Sequence, residues 1–493
     1  MTRLSNDRLN ALPADVQKPD YDRAAITPGI VHIGIGAFHR AHQAVYVDDL
    51  LKDHPDWGII GASLRRPDTK DALDPQDGLF TVAVRDAAGT RCRIIGSILE
   101  VIDANAERER LLTIMAHPKI RIVSLTVTEK GYCHDPASGE LDTKHADIVH
   151  DLANPTAPKS APGLIVEALA RRQAAGIAPF AVMSCDNLPA NGATAKRIVS
   201  RFAALRDAAL GRFVAEEVAF PGTMVDRIVP ATTDEDRAFV AEAIGCEDAW
   251  PIMTEPFTQW VIEDNFPNGR PPFEDAGAQL VDDVEPFEHM KLRMLNGSHS
   301  TLSYLGYLAG FETVSETVAN PDFKTLIHDM MTREIMPTLD MPGTDLNAYR
   351  DALLERFSNP ALKHRTWQIA MDGSQKLPQR LLGTIRDRIE AGEPRVRLTL
   401  GVAAWIRYAS GIDENGAEID VRDPLADRMH FLGQGAHTNP DAMATAFLGL
   451  AEVFGEDLPN VASFRQQLVT LLGQLLHQGA LATVETVVNG PEG

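Results

Sequence analysis

The sequence predicts an α/β protein in which a doubly wound, mostly parallel sheet precedes a mainly α-helical domain. Three observations predict it. Short apolar runs alternate with helical patterns through the first half of the chain. A segment rich in Pro and Gly follows at residues 265–277, and beyond it the patterns are almost all helical. We therefore expect two domains, residues 1–285 and residues 286–493.

Composition and charge restrict the class of partner. The chain has 493 residues, of which 44% are hydrophobic and 24% charged, as in ordinary globular proteins. A net charge of -22 argues against a nucleic-acid or anionic-membrane partner. The four cysteines form no Cys-x-x-Cys pair, which disfavours a zinc site or a disulfide framework. Without a leader-like apolar region or a run of about eighteen apolar residues, we expect a cytoplasmic protein, and a monomer.

The first ordered element is a strand, a glycine turn and a helix. An apolar strand at residues 30–33 runs into Gly34 and Gly36, and a helical apolar period follows over residues 38–50. This order opens a Rossmann-like, dinucleotide-binding domain, because the glycines let the backbone approach a pyrophosphate at the start of the helix. His39 stands where the third glycine of that motif is usual, and glycine turns also occur in other α/β domains. The residues expected to bind the cofactor here are Gly34, Gly36, Ala37 and Phe38.

A second strand, at residues 57–64, ends where such domains bind the adenosine ribose. Arg65, Arg66 and Asp68 follow it. Asp68 would accept a hydrogen bond from the ribose 2′-hydroxyl and repel a 2′-phosphate, whereas the arginines would attract that phosphate. We expect Arg65 and Asp68 to contact the cofactor and favour NAD over NADP.

Further strands are predicted at residues 81–84, 92–98, 120–128 and 180–184. Ligands bind beyond the carboxyl ends of parallel strands. Two residues of interest lie in such positions. Asn187 is a candidate amide donor, or else a turn residue before Pro189. Asp226 follows another apolar run and is a candidate site residue, or else half of a buried ion pair with Arg227.

A helix predicted over residues 287–310 opens the second domain and carries the richest polar face of the chain. At about 100° per residue, four polar side chains fall within an arc of roughly 140°. They are Glu288, Lys291, Asn296 and His299.

That set suits proton removal from a secondary alcohol. A lysine beside an apolar wall can lose its proton readily enough to act as a general base. Asn296 can donate to an oxygen that gains charge, His299 can hold a neighbouring hydroxyl, and Glu288 could pass the proton to water. The alternative is that these residues have no catalytic role. Glu288 and Lys291 would then form a surface ion pair, Asn296 would lie at a turn or helix end, and the histidine would be structural.

A basic cluster is predicted in the helical half. Lys376 and Arg380, with Arg365 and Arg293, could supply the positive charge that a substrate carboxylate needs, or could form a solvated basic face. A zinc site at His39 and His42 is disfavoured because no cysteine set accompanies them, and we predict no metal.

Five motifs together resemble the long-chain polyol dehydrogenases, a family typified by mannitol 2-dehydrogenase and fructuronate reductase. They are GIGAFHRAHQAVY, SLTVTEKGY, MSCDNLPANG, MVDRIVP and, at residues 291–299, K-x-x-x-x-N-G-S-H. The resemblance implies a metal-independent enzyme in which Lys291 is the base, Asn187 and Asn296 stabilise the alkoxide and His299 orients the substrate. It also implies substrate contacts for Asp226 and Lys376 and a proton relay for Glu288.

Within that family the mannitol enzymes carry an arginine eight residues before the lysine of the D-G-S-x-K motif, where this chain has Gln368. The surrounding stretches look like fructuronate reductases, so the expected reaction interconverts D-mannonate and D-fructuronate with NAD, and Arg293 would belong to a carboxylate site. Two alternatives stay open. One is a dehydrogenase for mannitol, arabinitol or sorbitol, and the other is a non-catalytic NAD-binding sensor.

Overall fold

The computed structural model describes residues 2–86, 88–135, 139–341, 343–436 and 438–490. The chain divides into two compact units, Met1–Glu285 and Pro286–Gly493. No helix within the described ranges combines the length and the apolar character needed to cross a bilayer.

The first unit contains strands and helices in alternation. Its strands are β1 (Pro28–Ile33), β2 (Gly58–Ser63), β3 (Phe80–Asp86), β4 (Gly89–Ile95), β5 (Ile98–Asp103), β6 (Ile122–Leu125), β7 (Ala181–Ser184), β8 (Thr223–Asp226), β9 (Ile252–Thr254), β10 (Gln259–Glu263) and β11 (Gln279–Val281). Its helices are α1 (Ala37–Ala41), α2 (Gln43–Leu50), α3 (Asp68–Leu73), α4 (Arg108–Ala116), α5 (Thr128–Gly131), α6 (Ala146–Ala153), α7 (Ala161–Ala174), α8 (Asn191–Arg206), α9 (Ala208–Glu217) and α10 (Asp234–Ile244).

A five-stranded parallel sheet forms the centre of the first unit and confirms the predicted architecture. Its strand order is β5-β2-β1-β6-β7. Ile33 at the end of β1 lies between Ala62 of β2 and Leu125 of β6. The chain builds outward from β1 in one direction and then resumes at β6 on the other side. This reversal opens a crevice at the carboxyl ends of β1 and β6, where ligands of such sheets bind.

Two predicted strands differ from the structure. The run at 81–84 lies in β3, which pairs with β4 and β9 in a separate sheet and not in the parallel one. The run at 92–98 divides between β4 and β5, because Gly96 donates its N–H to the Asp48 carboxylate and the Ser97 hydroxyl donates to the Ala44 carbonyl. The Gly96 N–H is therefore taken out of strand pairing and the Ser97 side chain is anchored to α2, and the chain changes sheets there.

The helix predicted over residues 38–50 is divided at His42, whose backbone has φ −124° and ψ −91°. The buried His42 ring is held by a 2.9 Å contact between Nε2 and the Gln259 carbonyl. Helix α1 is therefore a single short turn that begins directly after Gly36.

The second unit is built from helices. They are α11 (Glu285–Met290), α12 (Gly297–Leu308), α13 (Val314–Ala319), α14 (Pro321–Asp329), α15 (Leu346–Phe357), α16 (Thr366–Ala370), α17 (Gly373–Leu377), α18 (Gly383–Glu390), α19 (Val396–Ala409), α20 (Ala426–Gln434), α21 (Pro440–Leu448), α22 (Ala451–Phe454) and α23 (Ala462–Asn489). Wide π-helical turns lie at Lys291–Asn296, Met330–Ile335 and Pro378–Leu382. Helices α12 and α19 are almost entirely buried and form the middle of the core.

The tight packing of α12 against α13 gives a stability prediction. A Cβ added at Gly306 would lie 2.4 Å from the Thr317 hydroxyl and 3.0 Å from its methyl carbon, and Thr317 is fully buried. We expect Gly306→Ala to lower the free energy of unfolding by about 1–3 kcal/mol, measured by chemical denaturation. The matched control is Gly473→Ala in α23, where the added carbon would be 3.6 Å from its nearest neighbour. That variant should gain about 0.5–1 kcal/mol from helix propensity, and equal stability of the two variants would contradict the packing argument.

Candidate active site

The turn after β1 is built for close approach of a ligand. Gly34 has φ +93°, and a Cβ there would lie 2.2 Å from the Thr126 carbonyl oxygen. Only glycine can occupy this position. The Gly34 carbonyl accepts the N–H of Gly36 at 2.7 Å, and α1 begins with the next residue. Glycine at position 34 is therefore required by the close approach of the Thr126 backbone, and Gly36 is exposed beside it.

A cavity of about 590 Å³ lies at this turn. Four of the residues predicted to bind a cofactor line it, namely Gly34, Gly36, Arg65 and Asp68. Ala37 and Phe38 do not line it, and the Phe38 ring instead stacks on His42 at 5.0 Å between centroids. The size of the cavity and its glycine wall fit a dinucleotide.

Other lining residues were not predicted. Thr126 and Lys130 come from the segment after β6, and Lys159 and Ser160 precede α7. The Ser160 hydroxyl accepts the N–H of Gly163 and so caps α7. The Ser-Ala-Pro-Gly sequence that starts this helix is a cap signal, and it could have directed attention to these residues.

The ribose end of the cavity carries both signs of charge. Asp68 is the first residue of α3 and is half-buried, whereas Arg65 and Arg66 are exposed. The Arg66 Nε lies 3.7 Å from Asp68 Oδ2. The carboxylate is therefore fixed by its helix, while the arginines extend into solvent.

Asp186 organises the segments that follow β6 and β7. Its carboxylate accepts the N–H groups of Val127 at 3.0 Å and Thr128 at 2.9 Å, and the Tyr132 hydroxyl at 2.8 Å. These bonds explain why β6 ends at Leu125 although the sequence predicts a strand to residue 128. Burial raises the pKa of Asp186 to about 6, an effect that outweighs the three donors. Sequence reasoning overlooked Asp186, which fixes the loop that begins with the exposed side chain of Asn187.

Asp226 is the last residue of β8 and is buried. The neighbouring Arg227 guanidinium donates to the carbonyls of Ala41 and Glu255. Asn187 follows β7 of the parallel sheet, as expected. Strand β8 pairs antiparallel with β10 in a separate sheet, so the expectation that Asp226 ends a strand of the parallel sheet is wrong.

The polar helix of the second unit is not regular. Residues 291–296 form a π turn, and the N–H of Gly297 bonds to the Leu292 carbonyl five residues earlier. The predicted arc of roughly 140° was calculated for a regular α-helix. The prediction that the four polar side chains share this arc is therefore wrong. The π turn begins at Lys291 and ends at Asn296, so these two residues lie one wide turn apart.

The candidate catalytic side chains of this unit are buried. Lys291 is 5% exposed, Asn296 9% and His299 7%, while Glu288 is half-buried. The His299 ring packs against Phe357 and His364, at 4.8 Å and 5.1 Å between centroids. Its Nε2 atom has no hydrogen-bond partner among the described residues. Because a buried polar atom usually has a partner, this nitrogen is suited to a ligand hydroxyl.

Burial lowers the pKa of His299 well below its usual range. The nearby Arg356 and Arg380 guanidinium groups add to this effect, because they place positive charge near the imidazole. His299 is therefore neutral at physiological pH, and each of its ring nitrogens is either a single donor or a single acceptor.

The basic residues predicted to bind a carboxylate have different surroundings. The Arg293 guanidinium lies 2.6 Å from Asp387 Oδ2 and 2.8 Å from the Thr338 hydroxyl, so its charge is already paired. The role of Arg293 as a substrate ligand stays a prediction, and binding a carboxylate would require this pair to separate. Lys376 Nζ donates to the Met371 carbonyl at 2.5 Å.

Arg380 connects the D-G-S-x-K segment to the polar helix. Its guanidinium donates to the Ser300 hydroxyl at 3.1 Å and approaches the Asn296 carbonyl at 3.5 Å. A Cβ at Gly297 would be 2.8 Å from the Arg380 carbonyl. The two motifs are therefore packed directly together within the second unit.

Comparison with known proteins agrees with this geometry. Residues 28–275 match the mannitol dehydrogenase Rossmann domain, and residues 283–476 match the mannitol dehydrogenase C-terminal domain. A D-mannonate oxidoreductase of Escherichia coli (strain K12) is 51% identical over 94% of this chain and 96% of its own. A mannitol 2-dehydrogenase of Aspergillus terreus is 42% identical over 96% of each chain.

The same architecture occurs in a solved enzyme. The structure of Pseudomonas fluorescens mannitol 2-dehydrogenase, a ternary complex with NAD and D-mannitol, superposes with a TM-score of 0.90. It is 41% identical and covers 99% of this chain and 100% of its own. The family expected from the five motifs is confirmed, and this chain belongs to the mannitol dehydrogenase family.

Proposed function

We propose that the protein is an NAD-dependent oxidoreductase that interconverts D-mannonate and D-fructuronate, with Lys291 as general base. The observation that carries the proposal is that three polar side chains are buried together. Lys291 and Asn296 lie in the π turn, and His299 lies in the first turn of α12. A lysine, an amide donor and a neutral imidazole are the groups needed to deprotonate an alcohol and hold the resulting oxyanion. The 51% identity to a D-mannonate oxidoreductase supports the substrate class.

NAD is the cofactor that the residues of the cavity fit. Gly34 and Gly36 contribute bare backbone to the cavity wall, and Asp68 lines the same cavity, where a carboxylate would accept a ribose hydroxyl and repel a 2′-phosphate. The related mannitol 2-dehydrogenase was solved with NAD. When bound, NAD supplies a hydride acceptor at its nicotinamide C4, and NADH supplies the hydride in the reverse direction.

In the oxidation direction, Lys291 takes the hydroxyl proton while the carbon loses its hydride, which leaves a ketone. Lys291 is only 5% exposed, so the amine that accepts the proton is shielded from bulk water. Asn296 donates an N–H group to the oxygen as its charge grows, and Glu288 passes the proton to water. His299 holds a neighbouring hydroxyl through Nε2, and Lys376 contacts the rest of the sugar chain. The family resemblance also implies substrate roles for Asn187 and Asp226 of the first unit.

A mannitol 2-dehydrogenase is the second candidate. It is favoured by the 41% identity to an enzyme solved with D-mannitol. The presence of Gln368, in place of the arginine expected in mannitol enzymes, favours the sugar acid. A non-catalytic sensor has less support, because Lys291, Asn187, Asn296 and His299 are all retained.

Replacing Lys291 tests the base. We expect Lys291→Ala to lower kcat by roughly a thousandfold, since general-base catalysis contributes about 10²–10⁴. NADH affinity, measured by fluorescence titration, should stay nearly unchanged because Lys291 belongs to the second unit. The matched control is Lys324→Ala at an exposed lysine of the same unit, which should keep full activity. A fully active Lys291→Ala protein would refute the assignment.

Substrate class is tested by the oxidation of NADH, followed at 340 nm, with D-fructuronate and D-fructose at equal concentrations. We expect kcat/KM to favour fructuronate by at least about a hundredfold, because a site built for a carboxylate loses a charge-assisted hydrogen bond with a neutral ketose. EDTA should leave the rate unchanged. A higher kcat/KM for fructose would instead indicate a mannitol 2-dehydrogenase.

Cofactor choice is tested at Asp68. Removal of this carboxylate leaves Arg65 and Arg66 at the ribose end, so Asp68→Ala should raise the kcat/KM ratio for NADPH over NADH by roughly tenfold or more. Asp71→Ala, in the same helix and exposed, is the control and should not change the ratio. An unchanged ratio in Asp68→Ala would show that this residue does not select the cofactor.

A further inference from the structure

A buried chain of hydrogen bonds lies beneath the glycine turn of the cofactor cavity. His32 on β1 is fully buried, with Nδ1 2.8 Å from the Ser124 hydroxyl and Nε2 2.8 Å from the Thr126 hydroxyl. The Thr126 hydroxyl in turn donates to the Gly34 carbonyl at 2.7 Å. The network joins β1 to the end of β6, the two strands at which the sheet order reverses.

The direction of each bond follows from the number of protons. A hydroxyl has one proton, and that of Thr126 goes to Gly34, so the Thr126 oxygen must accept from His32 Nε2. Burial lowers the pKa of His32 to about 3, so the ring is neutral and carries a single proton, here on Nε2. Its Nδ1 then accepts the Ser124 hydroxyl proton. One tautomer satisfies every bond of the network.

His39 holds the imidazole of this network in place. The His39 and His32 rings stack at 3.5 Å between centroids and are inclined by 13°. His39 occupies the position of the third glycine of the usual motif, and it is buried with His32. Stacking on this face opposes rotation of the His32 ring and thus keeps Nε2 directed at Thr126.

The last acceptor of the network is the carbonyl of Gly34, in the turn that follows β1. Gly34 and Thr126 both line the cavity. A carbonyl oxygen that rotated into the cavity would repel a pyrophosphate, and glycine places little restriction on such a rotation. The Thr126 hydroxyl and the Gly36 N–H both bind this oxygen, at 2.7 Å each, and hold it away.

We propose that His32 and Thr126 are positioning residues for the dinucleotide, which act by fixing the Gly34 peptide against the cavity wall. They do not touch the reacting atoms. The inference rests on the proposed binding of NAD(H) in this cavity. It assigns the buried histidine to cofactor affinity and not to the chemical step.

Thr126→Val tests the inference, because valine keeps the shape of threonine and removes the hydroxyl. We expect the Kd for NADH, measured by fluorescence titration of the whole protein, to rise roughly tenfold through loss of the hydrogen bond and freedom of the carbonyl. The kcat at saturating NADH and the KM for the sugar substrate should change by less than about twofold, since neither depends on this bond. Thr126→Ser keeps the hydroxyl and should restore wild-type affinity.

Two results with the Thr126 variants would overturn the inference. One is unchanged NADH affinity in Thr126→Val, and the other is equal loss of affinity in the valine and serine variants, which would indicate a packing effect. His32→Gln, which can present an amide N–H near the Nε2 position, should bind NADH more tightly than His32→Leu, and the reverse order would also contradict it. If the wild-type protein fails to bind NADH, the cofactor proposal itself is wrong. If the wild-type protein binds NADH and Thr126→Val binds it with the same Kd, only the positioning role is wrong.

Discussion

The π turn at Lys291–Asn296 is the constraint on which the polar side chains of the second unit depend. A turn closed by a bond across five residues contains one residue more than a regular helical turn. The extra residue shifts every later side chain by about 100° around the helix axis from the direction it would have in an uninterrupted α-helix. Glu288 and His299, on opposite sides of the turn, have their directions set by this rotation. The adjoining Gly297 lets the Arg380 backbone pack where the helix widens.

Burial, more than charge pairing, decides the protonation state of the histidines in both units. It lowers the pKa of His32 and of His42 to about 3, and that of His299 well below its usual range. Neutral imidazoles have a fixed donor and a fixed acceptor, so they can orient a neighbour without adding charge. His32 orients a threonine beneath the glycine turn, and His299 has an Nε2 atom suited to a ligand. The same residue type thus positions groups in two different places.

The sequence predicts the elements that depend on local pattern and misses those that depend on distant partners. The strand and turn ending at Gly34 were predictable, because apolar alternation and glycine spacing are local signals. The π turn was not, because Lys291–Asn296 shows the same apolar periodicity as a regular helix. Neither was the pairing of Arg293 with Asp387, which lies 94 residues away. The role of Asp186 was missed for the same reason, since its donors come from the segment after another strand.

The pairing of Arg293 with Asp387 also restricts how a sugar carboxylate can be recognised. The Arg293 side chain is 13% exposed and that of Asp387 44%, so binding a substrate carboxylate through Arg293 would first require this partly exposed ion pair to separate. Lys376 is the alternative source of positive charge for a substrate carboxylate. Its ammonium group is oriented by a hydrogen bond to the Met371 carbonyl. Selectivity between a sugar acid and a neutral polyol would then depend on the segment that carries Lys376, which also contains Gln368. Because Arg380 connects this segment to the helix that carries Lys291, we expect a substitution there to shift Lys291 as well.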